Sequence, residues 1–184
     1  MIAKYVIVGL LCPLSFAALA MQHPADVAVA LVEELYIRPL EIKDPVVSFE
    51  VEPYRLECAP DTFQVRVFER SGPRLLERLK VTLGVEAGRV NFLVASGELL
   101  DRAAPAGNVE RTITYFERAN GWKLVDAAKS RGREGFIEAR MFDPSPPPQL
   151  SETRRVVFRE RAGLPVLVGS PGKPANYCAP IPRK

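Results

Sequence analysis

The chain has 184 residues, 47% of them apolar and 26% charged, with a formal net charge of +3 and a single histidine. A chain of this size and apolar content can bury a core; its near-balanced charge argues against a nucleic-acid binder, and one histidine removes most histidine-based catalysis. The first residues set the compartment. Lys4, an apolar run from Val6 to Ala20 and the small-residue ending Ala18-Leu19-Ala20 have the layout of a secretory signal peptide, residues 1–20, cleaved after Ala20. The run holds Gly9 and Pro13 and is short for a membrane span, so a retained anchor is the weaker reading. Leu11 before Cys12 argues against lipidation. The protein is therefore expected to be exported, periplasmic or secreted, and not integral to a membrane after cleavage.

Beyond the signal, Pro24 follows His23, and Val27, Ala28, Leu31 and Leu35 recur at helical spacing until Pro39, which predicts an amphipathic helix over 24–37. His23 lies beside the expected new N-terminus, a poor place for a catalytic residue. Extended runs follow: VVSFEVE from Val46, TFQVRVFER from Thr62, RVNFLVA from Arg89 and RTITYFER from Arg111. Phe63, Val65 and Val67 alternate with Gln64, Arg66 and Phe68, the period of a strand with one buried face. In PRLLERLKVTLGV, Leu75, Leu76 and Leu79 fit a helical turn while Val81, Leu83 and Val85 alternate, so a strand is expected through its second half. Glu50 and Glu52 share a strand face; they suit acid–base work or a cation, but a solvated sheet face is the simpler reading.

In TYFERANGWKLVDA the Asn120-Gly121 pair predicts a β-hairpin. A two-residue loop pairs Arg118 with Lys123 and Glu117 with Leu124. A three-residue loop, Ala119-Asn120-Gly121, instead opposes Glu117 to Lys123, Phe116 to Leu124 and Arg118 to Trp122, a chemically better set. These residues resemble the closing hairpin of the cone-shaped α+β superfamily of nuclear transport factor two. The resemblance covers residues 112–127 and implies a curved antiparallel sheet rolled around an N-terminal helix to enclose an apolar pocket. Its members include isomerases, dehydratases and non-catalytic binding modules. No catalytic residue carries over, because this sequence has no matching His and Asp pair. A pocket of that kind makes Tyr115, Trp122 and Asp126 the candidate ligand-binding residues.

Asp143-Pro-Ser-Pro-Pro-Pro148 cannot hold a helix or a central strand, so residues 143–150 read as a linker. Past it, TRRVVFRE and LPVLVG flank Arg161-Ala162-Gly163 as a second hairpin. Residues 151–184 sum to about +5 and residues 21–150 to about −3. Arg154, Arg155, Arg159 and Arg161 are candidates for an anionic partner, set against the plainer reading of a solvated strand interrupted by Glu152 and Glu160. Removal of the signal leaves two cysteines, Cys58 and Cys178, in an oxidising compartment; a disulfide is expected, with two independent thiols as the alternative.

The sequence has no nucleophile elbow, phosphate-binding glycine loop, dinucleotide fingerprint or standard zinc spacing, so no cofactor or metal is expected. The expected fold is α+β: an N-terminal amphipathic helix on a curved, mainly antiparallel β-sheet over 21–142, with a C-terminal β-hairpin and irregular tail over 151–184 stapled to it. The expected function is that of an exported, non-catalytic cell-envelope protein that binds a protein partner or an anionic envelope surface. The alternative is a small-ligand pocket enzyme or carrier of the cone-shaped type.

Overall fold

The structure is a computed structural model that describes residues 23–42, 47–54, 62–86, 88–144 and 152–169. The signal peptide, Cys58, Cys178, residues 145–150 of the linker and the tail from residue 170 lie outside the described residues. The fold is α+β, with helices on one face of an eight-stranded antiparallel sheet. Helix α1 (Pro24–Val32) starts at His23, whose ring accepts from the Ala25 amide, and Pro24 occupies the first turn, where a missing N–H costs nothing. It continues as a wide turn, Glu33–Ile37, and a short 3-10 turn, Arg38–Leu40. The wide turn brings Leu35 and the neighbouring Tyr36 both into the core.

Four strands then form a meander: β1 (Val47–Pro53), β2 (Thr62–Ser71), β3 (Arg74–Glu86) and β4 (Arg89–Ser96). The ambiguous leucine-rich segment is strand throughout, because the Gly72-Pro73 turn, with Gly72 at φ +61°, sends β3 straight back along β2. A short helical turn, Glu98–Asp101, leads to helix α2 (Asn108–Asn120). A second meander follows: β5 (Lys123–Lys129), β6 (Phe136–Asp143), β7 (Glu152–Arg159) and β8 (Leu164–Gly169). The strand order is β1-β2-β3-β4-β8-β7-β6-β5, so the last strand of each meander joins the two halves, and β1 and β5 are the edges. A helix followed by a four-stranded meander thus occurs twice in the chain.

Helix α2 corrects the expected strand over RTITYFER and the expected Asn-Gly hairpin. Threonine, isoleucine and aromatic residues favour strands, but Thr112, Ile113, Phe116 and Asn120 recur at helical spacing, and all are buried, while Glu110, Arg111, Glu117 and Arg118 are exposed. Gly121, at φ +72°, is the left-handed residue that ends the helix, and its amide donates to the Glu117 carbonyl. None of the cross-strand pairs expected for a hairpin forms. Phe116 instead stacks on Trp122 at a centroid distance of 5.2 Å, and the cation over Trp122 is Arg154, at 5.8 Å, rather than Arg118. Strand β6 was not anticipated, although Ile137, Ala139 and Met141 alternate with Glu138 and Arg140.

One contiguous core lies between the helices and the sheet. Phe63, Val65 and Val67 face it from β2, Leu79, Val81 and Leu83 from β3, and Met141 and Phe158 from the second half. The ladder between β4 and β8 is only two pairs long, Leu93↔Val168 and Val94↔Leu167. Three buried side chains on the helical segments reinforce it. The Tyr36 hydroxyl donates to the Pro165 carbonyl of β8 at 2.7 Å, and the Asn120 amide donates to the Val90 carbonyl of β4 at 2.7 Å. The Asn108 amide donates to the carbonyls of Pro39, at 3.3 Å, and Ala162, at 3.1 Å. Gly163 permits that last contact, because a Cβ there would stand 2.7 Å from the Asn108 Cβ.

Tyr36→Phe is expected to cost about 1 to 2 kcal/mol at neutral pH, since the buried Pro165 carbonyl loses its donor. Burial holds the Tyr36 hydroxyl well above its ordinary pKa. The unfolded chain therefore gives up this proton first, and above about pH 10 it binds fewer protons than the folded one, so stability falls as pH rises. Tyr36→Phe should make that alkaline loss shallower. Urea unfolding at about pH 7 and about pH 11, followed by the emission of the single tryptophan, measures both effects.

Candidate functional site

Strand β5 is the most exposed strand of the sheet among the described residues, reached by Glu117, which accepts from the Leu124 amide at 3.4 Å, and by Glu160, which pairs with Lys129. All seven of its residues are exposed, whereas at the opposite edge Val47, Phe49 and Val51 of β1 pack against the core. The difference arises at Gly121, where α2 ends and delivers the chain to the sheet edge with no helix left to cover it. Leu124 and Val125, joined by Phe142 of β6, are among the few large apolar side chains exposed in the described structure. Val125 is an extra residue in the ladder, because Leu124 pairs with Met141 and Asp126 already with Arg140. Lys123 and Lys129 close the two ends of the strand, a charge placement that discourages indiscriminate edge pairing.

A second feature lies where β4 and β8 diverge. Pro165 has no N–H, and Val166 is an extra residue opposite the Val157–Phe158 step, so the strands separate beyond the two-pair ladder. The open depression left there measures about 450 Å³ and includes Ser96, Leu100, Asp101, Phe136, Arg159 and Val166 in its lining. A neighbouring depression of about 370 Å³ shares Asp101 and Arg159 and adds Gly135, Glu160 and Arg161. Arg159 lies over the Phe136 ring at 4.7 Å and pairs with Asp101 at 2.8 Å. Glu98 pairs with Arg78, and Glu160 with Lys129 at 2.5 Å. Each acidic group lining the two depressions is thus engaged in an ion pair.

The residues suggested for a ligand pocket do not converge. Tyr115 is half-buried on α2, on the helix side of the sheet, where burial and then the nearby Glu34 push its hydroxyl pKa up. Trp122 is only 4% exposed and belongs to the core. Asp126 is exposed and, by alternation with Ala139 and Met141, its partner Arg140 lies on the opposite face of the sheet. The Arg140 Nε donates to it at 2.7 Å, and this bond lowers the Asp126 pKa. None of the three lines either of the two depressions. Leu79, Leu83, Leu93, Phe116 and Phe158 are fully buried in the core between the helices and the sheet.

The four arginines proposed for an anionic partner also separate. Arg154 lies on the core side, paired with Asp143 at 3.0 Å and Glu152 at 3.4 Å and placed over Trp122. Arg155 and Arg159 share the outer face, but Arg155 pairs with Glu138 at 2.6 Å and Arg159 with Asp101. Arg161 sits in the β7–β8 turn and alone among the four has no ionic partner among the described residues. Glu50 and Glu52 lie beside Arg66, with Glu52 at 3.1 Å. Among the described residues no group of three or more His, Cys, Asp or Glu could hold a metal ion, and no helix is long and apolar enough to cross a membrane. No protein-family model, curated protein or solved structure matches the chain.

Sequence reasoning missed the exposed β5 edge because its Leu124 and Val125 were taken as the paired return of a hairpin. It missed the Arg159–Phe136 stack because β6 went unrecognised. Trp122→Ala is expected to cost about 3 to 5 kcal/mol, the price of an aromatic cavity in a core. The denaturant midpoint followed by far-ultraviolet circular dichroism checks this; a loss below about 1 kcal/mol would mean Trp122 is a surface residue after all.

Proposed function

We propose that this chain is an exported, non-catalytic protein of the cell envelope, periplasmic or secreted, that captures a protein partner by accepting an extended strand along β5. The observation that carries the reading is the exposure of all seven β5 residues at a sheet edge, with Leu124, Val125 and Phe142 beside it. Strand addition draws affinity from main-chain hydrogen bonds and specificity from alternating side chains. Lys123 favours an acidic residue at one end of the partner strand, Lys129 at the other end being paired with Glu160, and the extra residue at Val125 narrows the register the strand can take.

Export by residues 1–20 and a Cys58–Cys178 bridge belong to the same proposal. Support for the bridge comes from strand register. Thr62 pairs with Gly84 and Gly84 with Phe92, while Val168 pairs with Leu93. The described chain ends flanking the two cysteines, Tyr54, Thr62 and Gly169, therefore stand at the same end of the sheet. Three strand spacings, roughly 14 Å, separate Thr62 from Gly169. Nine residues from Gly169 to Cys178 reach up to roughly 30 Å, so the length of chain suffices.

Membership of the cone-shaped superfamily, with a ligand pocket, is the second reading. Helices on one face of an antiparallel sheet favour it; the filled core counts against a pocket, and the hairpin that carried the resemblance is a helix end followed by a strand.

The test is capture from the native envelope with Val125→Pro, a proline placed at a bulge on an edge where it is tolerated by the fold. Native tryptophan emission with loss of the captured partner is the expected result. Undiminished capture would remove β5 as the site, and reproducible turnover of a small substrate would remove the non-catalytic reading.

A further inference from the structure

Strands β2 and β3 keep pairing with each other past Lys80↔Ser96, where the β4 ladder ends, and past Val47↔Glu69, the outermost β1 pair among the described residues, so residues 70–77 form a two-stranded arm at this end of the sheet. All eight of these residues are exposed. The arm is fixed at its root, where Glu69 pairs with Arg102 at 2.5 Å and with Arg78 at 3.2 Å, and Arg78 also pairs with Glu98. Its apex is the uncharged Gly72-Pro73 turn, and a Cβ added at Gly72 would meet nothing within 4 Å. Behind the apex stand Leu75, 53% exposed, and Leu76, 37% exposed. Arg70 and Arg74 flank them with no ionic partner among the described residues, and Glu77 is the only acid in the arm.

We propose that this tip is a contact point for a bilayer of anionic phospholipids, entered end-on. The placement of the side chains carries the orientation. Arg70 pairs with Leu75 across the ladder on one face, while Leu76 and Arg74 share the other. A hairpin lying flat on a membrane needs one apolar face and one charged face. Here each face has one leucine and one arginine, so only entry from the apex buries both leucines, and the long arginine side chains then reach back to the headgroups. The size of the tip decides between a bilayer and a protein. Eight residues fall well short of the roughly 20 to 30 per side in a stable protein interface, whereas shallow contact with a charged bilayer has no such minimum. Arg70 and Arg74 against Glu77 supply the charge complementarity. This site is separate from β5 and stands or falls independently of it.

The test is flotation of the full chain with vesicles of phosphatidylcholine plus phosphatidylglycerol, against vesicles of phosphatidylcholine alone. Binding to the anionic vesicles is expected, weakened by added salt. Each arginine near such a surface contributes roughly fivefold, so Arg70→Gln with Arg74→Gln should weaken binding on the order of 25-fold. Leu75→Ser with Leu76→Ser should weaken it by at least about tenfold. The four positions are exposed, so the variants should keep native tryptophan emission, and Leu124→Ser with Val125→Ser should bind vesicles as the unaltered chain does. Absence of binding to anionic vesicles, or binding unaffected by the tip substitutions, overturns the proposal. Sensitivity to the arginines alone overturns end-on entry. Loss of a captured protein by the tip variants, with vesicles never bound, would reassign the tip to a protein contact.

Discussion

Between β4 and β8 the sheet is continuous through only two residue pairs, and every other neighbouring pair of strands shares a longer ladder. Two meanders joined so briefly would hinge if nothing else held them. What holds them is the layer of helices above. Tyr36 bonds to β8, Asn120 to β4, and Asn108 ties the end of the first helical segment to the β7–β8 turn. All three donate from a buried side chain to a main-chain carbonyl, where an unmet partner is expensive. The amide oxygens of Asn108 and Asn120 are themselves buried without a partner among the described residues, which offsets part of that gain. Directional bonds at the join and one contiguous apolar core across it make the eight strands a single unit.

This division of labour explains why candidate functions fall at the periphery. The interior is occupied by packed side chains, and the acids and arginines along the sheet mostly neutralise one another. What remains exposed lies where the two meanders run out: the β5 edge in one, the β2–β3 tip in the other. Both are geometric consequences of unequal strand length and helix placement rather than of an unusual local sequence.

The strands with clean alternation were legible because burial of one face leaves a period of two in the sequence; Phe63, Val65 and Val67 are the clearest case. Helix α2 was not, because Thr112, Ile113 and Tyr115 are strand-favouring types whose helical burial stripe is set by packing against both halves of the sheet. Asn-Gly is a turn signal in either setting, and only the partner of the Gly121 amide tells a helix end from a hairpin. The arginines of β7 were legible as a group but not as a site, since their acidic partners Glu138 and Asp143 stand on the preceding strand β6, which went unrecognised, and Asp101 lies 58 residues away. The exposure of β5 could not be read at all, because exposure depends on where α2 stops.

The recurrence of a helix and a four-stranded meander gives the two sheet edges corresponding positions, yet they are unlike in chemistry. Edge β1 ends at Pro53, which offers no N–H, and its Glu50 and Glu52 are gathered around Arg66. Edge β5 runs between two lysines and has one backbone group engaged from α2, the Leu124 amide, which donates to the Glu117 carboxylate at 3.4 Å. If two copies met head to tail, β5 of one would have to seat on β1 of the next, and repetition of that contact would build a filament. The mismatch between the edges works against such growth. A strand added at β5 would lengthen the sheet by one, and the mismatch means that it would have to come from something other than the β1 edge of a second copy.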